Sequence, residues 1–210
     1  MKKEKNMKLI YVMDPQCGWC YGNSENVSSI RKTFDQTFNF ELLVGGMWLG
    51  NDAPVGGTEL SGFLQAHAPR MAKTTGANVG QAYYDLATDS SYAFSSLEPS
   101  AAIVLIKTIS PENTFAFTKD VQKMLLQDGK RLDKLENYLP ILKSLKINED
   151  DFKKAWLSAE NIKNTQAEFS KASQLANGFP TLILQTKDGQ KVLASGYFDL
   201  EQMVQTLKSL

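Results

Sequence analysis

The hydrophobic pattern divides the chain into three unequal stretches. Leu9-Ile10-Tyr11-Val12-Met13 is a continuous apolar run stopped by Asp14-Pro15, as expected of a strand buried on both faces of a parallel sheet. Val27, Ile30 and Phe34 then recur at helical spacing and predict one helix running from about Cys17 to Phe34. Phe38, Phe40 and Leu42 alternate with Asn39 and Glu41 before Leu43-Val44 and the Gly45-Gly46 break, which predicts a second strand. Strand, helix and strand make a right-handed crossover unit.

Between residues 58 and 177 the pattern turns helical and shows no convincing strand. Ser110-Pro111 reads as a helix start, with a serine cap and a proline in the first helical position, and Gly129 as its stop. Phe117, Val121, Met124 and Leu125 share one face of that helix. Leu132, Leu135, Leu139 and Leu142 form a second apolar stripe, and Phe152, Ala155 and Trp156 a third behind an Asn148 cap. Such stripes are the buried faces of packed helices. The strand pattern then returns. Thr181 to Gln185 is apolar and partly β-branched, Lys187-Asp188-Gly189 is a turn, and Lys191 to Ala194 can pair back as a hairpin. Asp199 with Gln202 resembles a capping box opening a last helix whose face is Leu200, Met203, Val204 and Leu207. The assembly predicted is an α/β chain: β-α-β, a large helical insertion, then β-β-α completing the same sheet. Residues 8–57 and 178–210 would form the sheet domain and residues 58–177 an inserted helical domain.

Composition narrows the function. With 42% hydrophobic and 22% charged residues the chain is an ordinary globular one, and 23 basic residues balance 23 acidic ones. No global field draws it to nucleic acid or to an anionic membrane, so neither is expected as a partner. Met1 to Lys8 is basic, but the apolar run behind it is too short for a secretory signal or a membrane span, which predicts a cytoplasmic protein.

The two cysteines stand together as Cys17-Gly18-Trp19-Cys20. A bridge between them would close almost no chain and contribute little as a staple, so the pair is placed for chemistry. Cys17 falls at the predicted helix start, where unpaired N–H groups and the helix dipole favour a thiolate, and Cys20 lies one turn deeper on the same side. Cys17 would be the exposed, reactive sulfur and Cys20 the resolving one. Gly18 leaves the backbone unobstructed, and Trp19 offers apolar contact to a client. A structural zinc site needs four ligands, whereas the chain adds only His67 to the pair, so no metal is expected. No Ser-His-Asp arrangement and no glycine-rich phosphate loop is apparent.

Asp14-Pro15-Gln16-Cys17-Gly18-Trp19-Cys20-Tyr21-Gly22 resembles the active-site segment of DsbA-family thiol–disulfide oxidoreductases, particularly the cytoplasmic branch of FrnE-like proteins and protein-disulfide isomerases. Asn177-Gly178-Phe179-Pro180-Thr181 is similar to the loop that carries the cis-proline of thioredoxin-like folds. The resemblance implies a thioredoxin-like fold, with Cys17 as nucleophile, Cys20 as buried resolving thiol and a cis Pro180 facing them. Trp19, Phe179 and Thr181 would contact substrate, with Asp14 and Gly18 as auxiliaries. It implies no bound cofactor: clients would be proteins with disulfides or thiols, or small thiols, with glutathione or thioredoxin as external reductant. Many relatives carry a buried acid six residues before the nucleophile, where this chain has Tyr11, so Asp14 or water would have to serve. The neutral Gly18-Trp19 dipeptide brings no cation to the thiolate and predicts a reductase or isomerase rather than a strong oxidant. The alternative is a glutathione-dependent isomerase or transferase of the kappa-class or 2-hydroxychromene-2-carboxylate isomerase type. Those relatives have a single serine or cysteine nucleophile, against the intact pair here.

Overall fold

In the computed structural model, which describes residues 7–210, the first apolar run forms β1 (Lys8–Met13). Most of the basic N-terminal segment (Met1 to Asn6), on which the cytoplasmic reading partly rests, lies outside the described residues. The predicted single helix is two, α1 (Gly18–Gly22) and α2 (Ser24–Thr33), and β2 (Asn39–Val44) follows. The break falls at Asn23, which is fully buried. Its side-chain amide donates to the Gly196 carbonyl (3.2 Å) and its side-chain oxygen accepts from the Phe198 N–H (3.4 Å). These partners lie more than 170 residues away, so the apolar spacing alone carried no sign of the break.

Seven helices join β2 to β3: α3 (Thr58–Thr75), α4 (Gln81–Leu86), α5 (Leu97–Ile109), α6 (Thr114–Leu126), α7 (Leu135–Ser144), α8 (Glu149–Ala155) and α9 (Ala159–Leu175). Ser110-Pro111 opens a single 3-10 turn, and α6 begins only at Thr114, because the Ser110 hydroxyl donates to the Glu112 carboxylate instead of capping the helix. Gly129 does end the segment. It takes φ +60°, its N–H returns to the Leu125 carbonyl (3.0 Å), and a Cβ there would stand 2.2 Å from the Ala82 carbonyl oxygen. Asn148 caps α8 by accepting from the Asp150 and Asp151 amides.

The chain closes with β3 (Thr181–Thr186), β4 (Gly189–Ser195) and α10 (Leu200–Lys208), the last capped by Asp199 accepting from the Gln202 N–H (2.9 Å). The sheet order is β2-β1-β3-β4. β1 pairs parallel to β2 with Leu9 opposite Phe40 and Met13 opposite Val44, and antiparallel to β3 with Ile10 opposite Ile183. β4 pairs antiparallel on the outer side of β3, with a register shift at Leu182/Ile183.

Alternation along β1 supplies both layers. Leu9, Tyr11 and Met13 face the larger core, together with α2, α10 and most of the connecting helices, while Ile10 and Val12 face Leu43, Ile183 and Ala172 of α9. That explains why the run reads as unbroken apolar sequence. β2 is an edge strand, and it is blunted. The Glu168 carboxylate of α9 accepts from the Val44 N–H (2.9 Å) and from Lys107 of α5 (2.5 Å), and the same ammonium donates to the Leu42 carbonyl (2.8 Å).

Candidate active site

Cys17 is the N-cap of α1, and its sulfur accepts from the Cys20 N–H at 3.4 Å, one of the first-turn amides that no intrahelical carbonyl can reach. The Cys17 N–H is in turn held by the Asp14 carbonyl (3.1 Å). Both cysteines are free thiols. The Cys17 thiol donates across the site to the Phe179 carbonyl at 3.6 Å, and the Phe179–Pro180 peptide bond is cis. The sequence expectation that Cys17 is exposed is corrected here: it is only 6% exposed, and Cys20 is fully buried. Nothing in the local sequence announces this burial, and Trp48, Met71 and Leu126 come to the groove beside Cys17 from distant segments.

The loop that carries Pro180 is anchored from several sides. Thr181 is buried, and its hydroxyl donates to the Gly178 carbonyl (2.8 Å). Thr181 also sits opposite Val12 of β1, and the Pro180 carbonyl accepts from the Gly196 N–H (2.7 Å). The Phe179 ring lies so close over Gly45 that a Cβ there would be 2.0 Å from it. Thr181 therefore shapes the loop from beneath, whereas the Phe179 backbone faces the sulfur.

No protein-family model matches the sequence, and no curated protein does. Solved structures do match. A candidate protein disulfide isomerase from Nitrosomonas europaea superposes with a TM-score of 0.85 at 22% identity, over 97% of each chain. The cytosolic disulfide reductase DsbM from Pseudomonas aeruginosa gives 0.78 at 24% identity, over 97% of this chain and 100% of DsbM. The structure of DsbM with glutathione gives 0.77 at 25% identity with the same coverage. Reduced DsbA1 from Neisseria meningitidis gives 0.58 at 10% identity, over 99% of this chain and 84% of that one. This chain has a DsbA-like thioredoxin fold.

In that DsbA-like frame the two thiols face different surroundings. Burial pushes the Cys20 thiol well above the ordinary range, the adjoining Cys17 and the Asp14 charge push it further, and the Asp14 backbone amide opposes them. Asp14 is itself fully buried. Its carboxylate accepts from the Gln16 N–H (2.8 Å), the Ser96 hydroxyl (2.9 Å) and the Met47 N–H (2.8 Å), so it ties the cysteine turn to two other loops. Burial outweighs those donors and raises its pKa to about 6. Tyr11 points its hydroxyl at the Cys20 carbonyl (3.4 Å) from β1.

Beside Cys17 lies an open groove of about 250 Å³ walled by Trp19, Trp48, Phe63, Met71, Tyr83 and Leu126. Among the described residues neither lysine nor arginine lines it, and Phe63 is 51% exposed at its mouth. His67 stands on α3 with its ring on Phe63, centroids 4.4 Å apart. Gly18 is not under steric pressure, since a Cβ there would make only ordinary contact with Met71 at 3.5 Å. Among the described residues no three His, Cys, Asp or Glu side chains converge as a metal site, and no helix is long and apolar enough to cross a membrane. Sequence reasoning did not anticipate Met47, Trp48, Phe63 or Ser96. They reach the site from loops and helices whose local patterns resemble any other helical core.

Proposed function

We propose that this chain is a protein-disulfide oxidoreductase of the cytoplasm, acting as a reductase or isomerase through Cys17 and Cys20. One observation carries the reading. Cys17 caps a helix with a first-turn N–H on its sulfur, opposite the Phe179 carbonyl beside a cis-proline, with the second thiol buried one turn away. In the reaction the Cys17 thiolate attacks one sulfur of a client disulfide. The client bond breaks, its other sulfur leaves as a thiol, and a mixed disulfide forms. Cys20 then attacks the Cys17 sulfur, releases the second client thiol and leaves the pair oxidised. An external thiol, glutathione among the candidates, restores the reduced pair.

The groove supports a protein client. A cavity of about 250 Å³ with aromatic and thioether walls fits one bulky apolar side chain next to the client cysteine. Among the described residues it offers neither lysine nor arginine to the two carboxylates of glutathione. The neutral Gly18-Trp19 dipeptide supports the reducing direction, and the cytosolic reductase among the similar structures supports both the direction and the compartment.

Trapping tests the reading. Cys20→Ser is expected to accumulate mixed disulfides with client proteins, Cys17→Ser to accumulate none, and the wild type to accelerate insulin reduction by dithiothreitol. Equal trapping by both variants, or conjugation of glutathione to electrophiles without insulin reduction, would overturn it.

A further inference from the structure

We propose that Cys20 has no base beside it among the described residues, because the Tyr11 phenol takes the adjoining space, so that the mixed disulfide on Cys17 persists until a second client thiol attacks it. This rests on the thiol–disulfide reading above and sharpens it towards isomerisation.

Tyr11 is 4% exposed on the face of β1 that meets α1, and its hydroxyl donates to the Cys20 carbonyl at 3.4 Å. It lies close enough to the sulfurs that burial first, then the charges of Cys20 and Cys17, raise its own pKa well above the ordinary phenol range. A phenol so held donates a hydrogen bond but takes no proton. The buried carboxylate of the same segment is committed elsewhere. Asp14 turns its oxygens to Gln16, Met47 and Ser96, and what reaches Cys20 from it is a backbone amide and an unfavourable charge. The remaining titratable groups around α1 serve other surfaces. His67 of α3 lines the groove at Cys17, Tyr83 of α4 feels the charge on Cys17, and Lys123 and Asp120 of α6 line a cavity beside Tyr21. Cys20 must lose its proton to solvent from a fully buried position before it can attack.

Two routes compete from the mixed disulfide. In the first, the Cys20 thiolate bonds to the Cys17 sulfur and the client leaves as a thiol, so the client is reduced and the pair oxidised. In the second, another client thiolate bonds to the client sulfur and Cys17 leaves as a thiolate, so the client has exchanged one disulfide for another. The second route consumes neither oxidant nor reductant. A slow first route gives the second its time.

The test is the rate of the Cys20 step. Reduced protein is mixed with a dye-labelled peptide disulfide, and the two thiols released are followed separately from pH 6 to 9 in wild type, Tyr11→Phe and Tyr11→Glu. The second release is expected to rise by about tenfold per pH unit without a plateau in the wild type, since only the thiolate attacks. Tyr11→Phe is expected to keep that slope, with the first release within about threefold of wild type. Tyr11→Glu is expected to speed the second release by at least about tenfold at pH 7 and to flatten its profile, as a positioned base would. A plateau below pH 9 in the wild type, or a slope changed by Tyr11→Phe, would overturn the proposal, and either is readable even when the glutamate variant does not fold. Absence of the first release would instead overturn the thiol–disulfide reading itself.

Discussion

Asp14 shows how one buried side chain can bind loops together and still oppose folding at neutral pH. Its three donors hold the cysteine turn, the Met47 loop and the start of α5's segment, yet burial lifts its carboxyl to about 6. A folded pKa above the unfolded one of about 4 means that the folded state binds the proton more tightly. The stability that protonation supplies is fully present below about pH 4 and is lost as pH rises through about 6. The span corresponds to about 3 kcal/mol. Urea unfolding of wild type and Asp14→Asn at pH 4.5, 6 and 7.5 should therefore show wild type gaining on the variant towards acid by about 2 kcal/mol. A difference that stays constant across that range would remove the buried carboxylate from the account. The carboxylate was visible in sequence, flanked by Met13 and Pro15. Its partners Met47 and Ser96 were not, lying 33 and 82 residues away.

Among the elements, the β2 edge shows a local pattern completed by distant charge. Glu168 and Lys107 are largely covered, with 11% and 25% of their side chains exposed, and between them they satisfy the Val44 N–H and the Leu42 carbonyl. Glu168→Ala leaves a covered ammonium and an edge N–H without their acceptor and should cost about 2–3 kcal/mol in denaturant unfolding. Glu168→Gln keeps an acceptor for Val44 and should recover about half of that. A loss below about 0.5 kcal/mol for the alanine variant would mean that water replaces the carboxylate. Helix ends divide in the same way. Asn148 and Asp199 cap helices as their sequences predict, because a cap bonds within three residues. Ser110 and Asn23 depart from prediction, because Glu112 captures the first and the β4–α10 loop captures the second.

Across the whole molecule, one hydrophobic cluster runs from β1 and the cysteines through α5 and α6 to Phe117, Tyr138, Phe152 and Trp156. Those four rings pack with centroids 4.9 to 6.2 Å apart, far along the chain from Cys17. The continuity predicts one unfolding transition, although the sequence divides readily into a sheet domain and a helical insertion. Phe152→Ala should lower stability by about 3–5 kcal/mol. It should do so with Cys20 alkylation and tryptophan fluorescence still changing together. Two separated transitions would show that the helices unfold on their own.

The sequence by itself determined what depends on neighbours within a few residues. This covers the strands with their two-faced apolar runs, the hairpin, the caps at Asn148 and Asp199, and a cysteine pair spaced one helical turn apart at a helix start. The tertiary structure alone decided the rest. It buried Cys17, brought Trp48, Met71 and Leu126 to the groove beside it, aimed the Tyr11 hydroxyl at the Cys20 carbonyl, took up the oxygens of Asp14 and left the groove without lysine or arginine. Hydrogen-bond spacing and side-chain periodicity act over one turn or one pleat and leave a mark in local sequence. Burial and electrostatics act through space, and residues that meet in this fold are up to 175 positions apart.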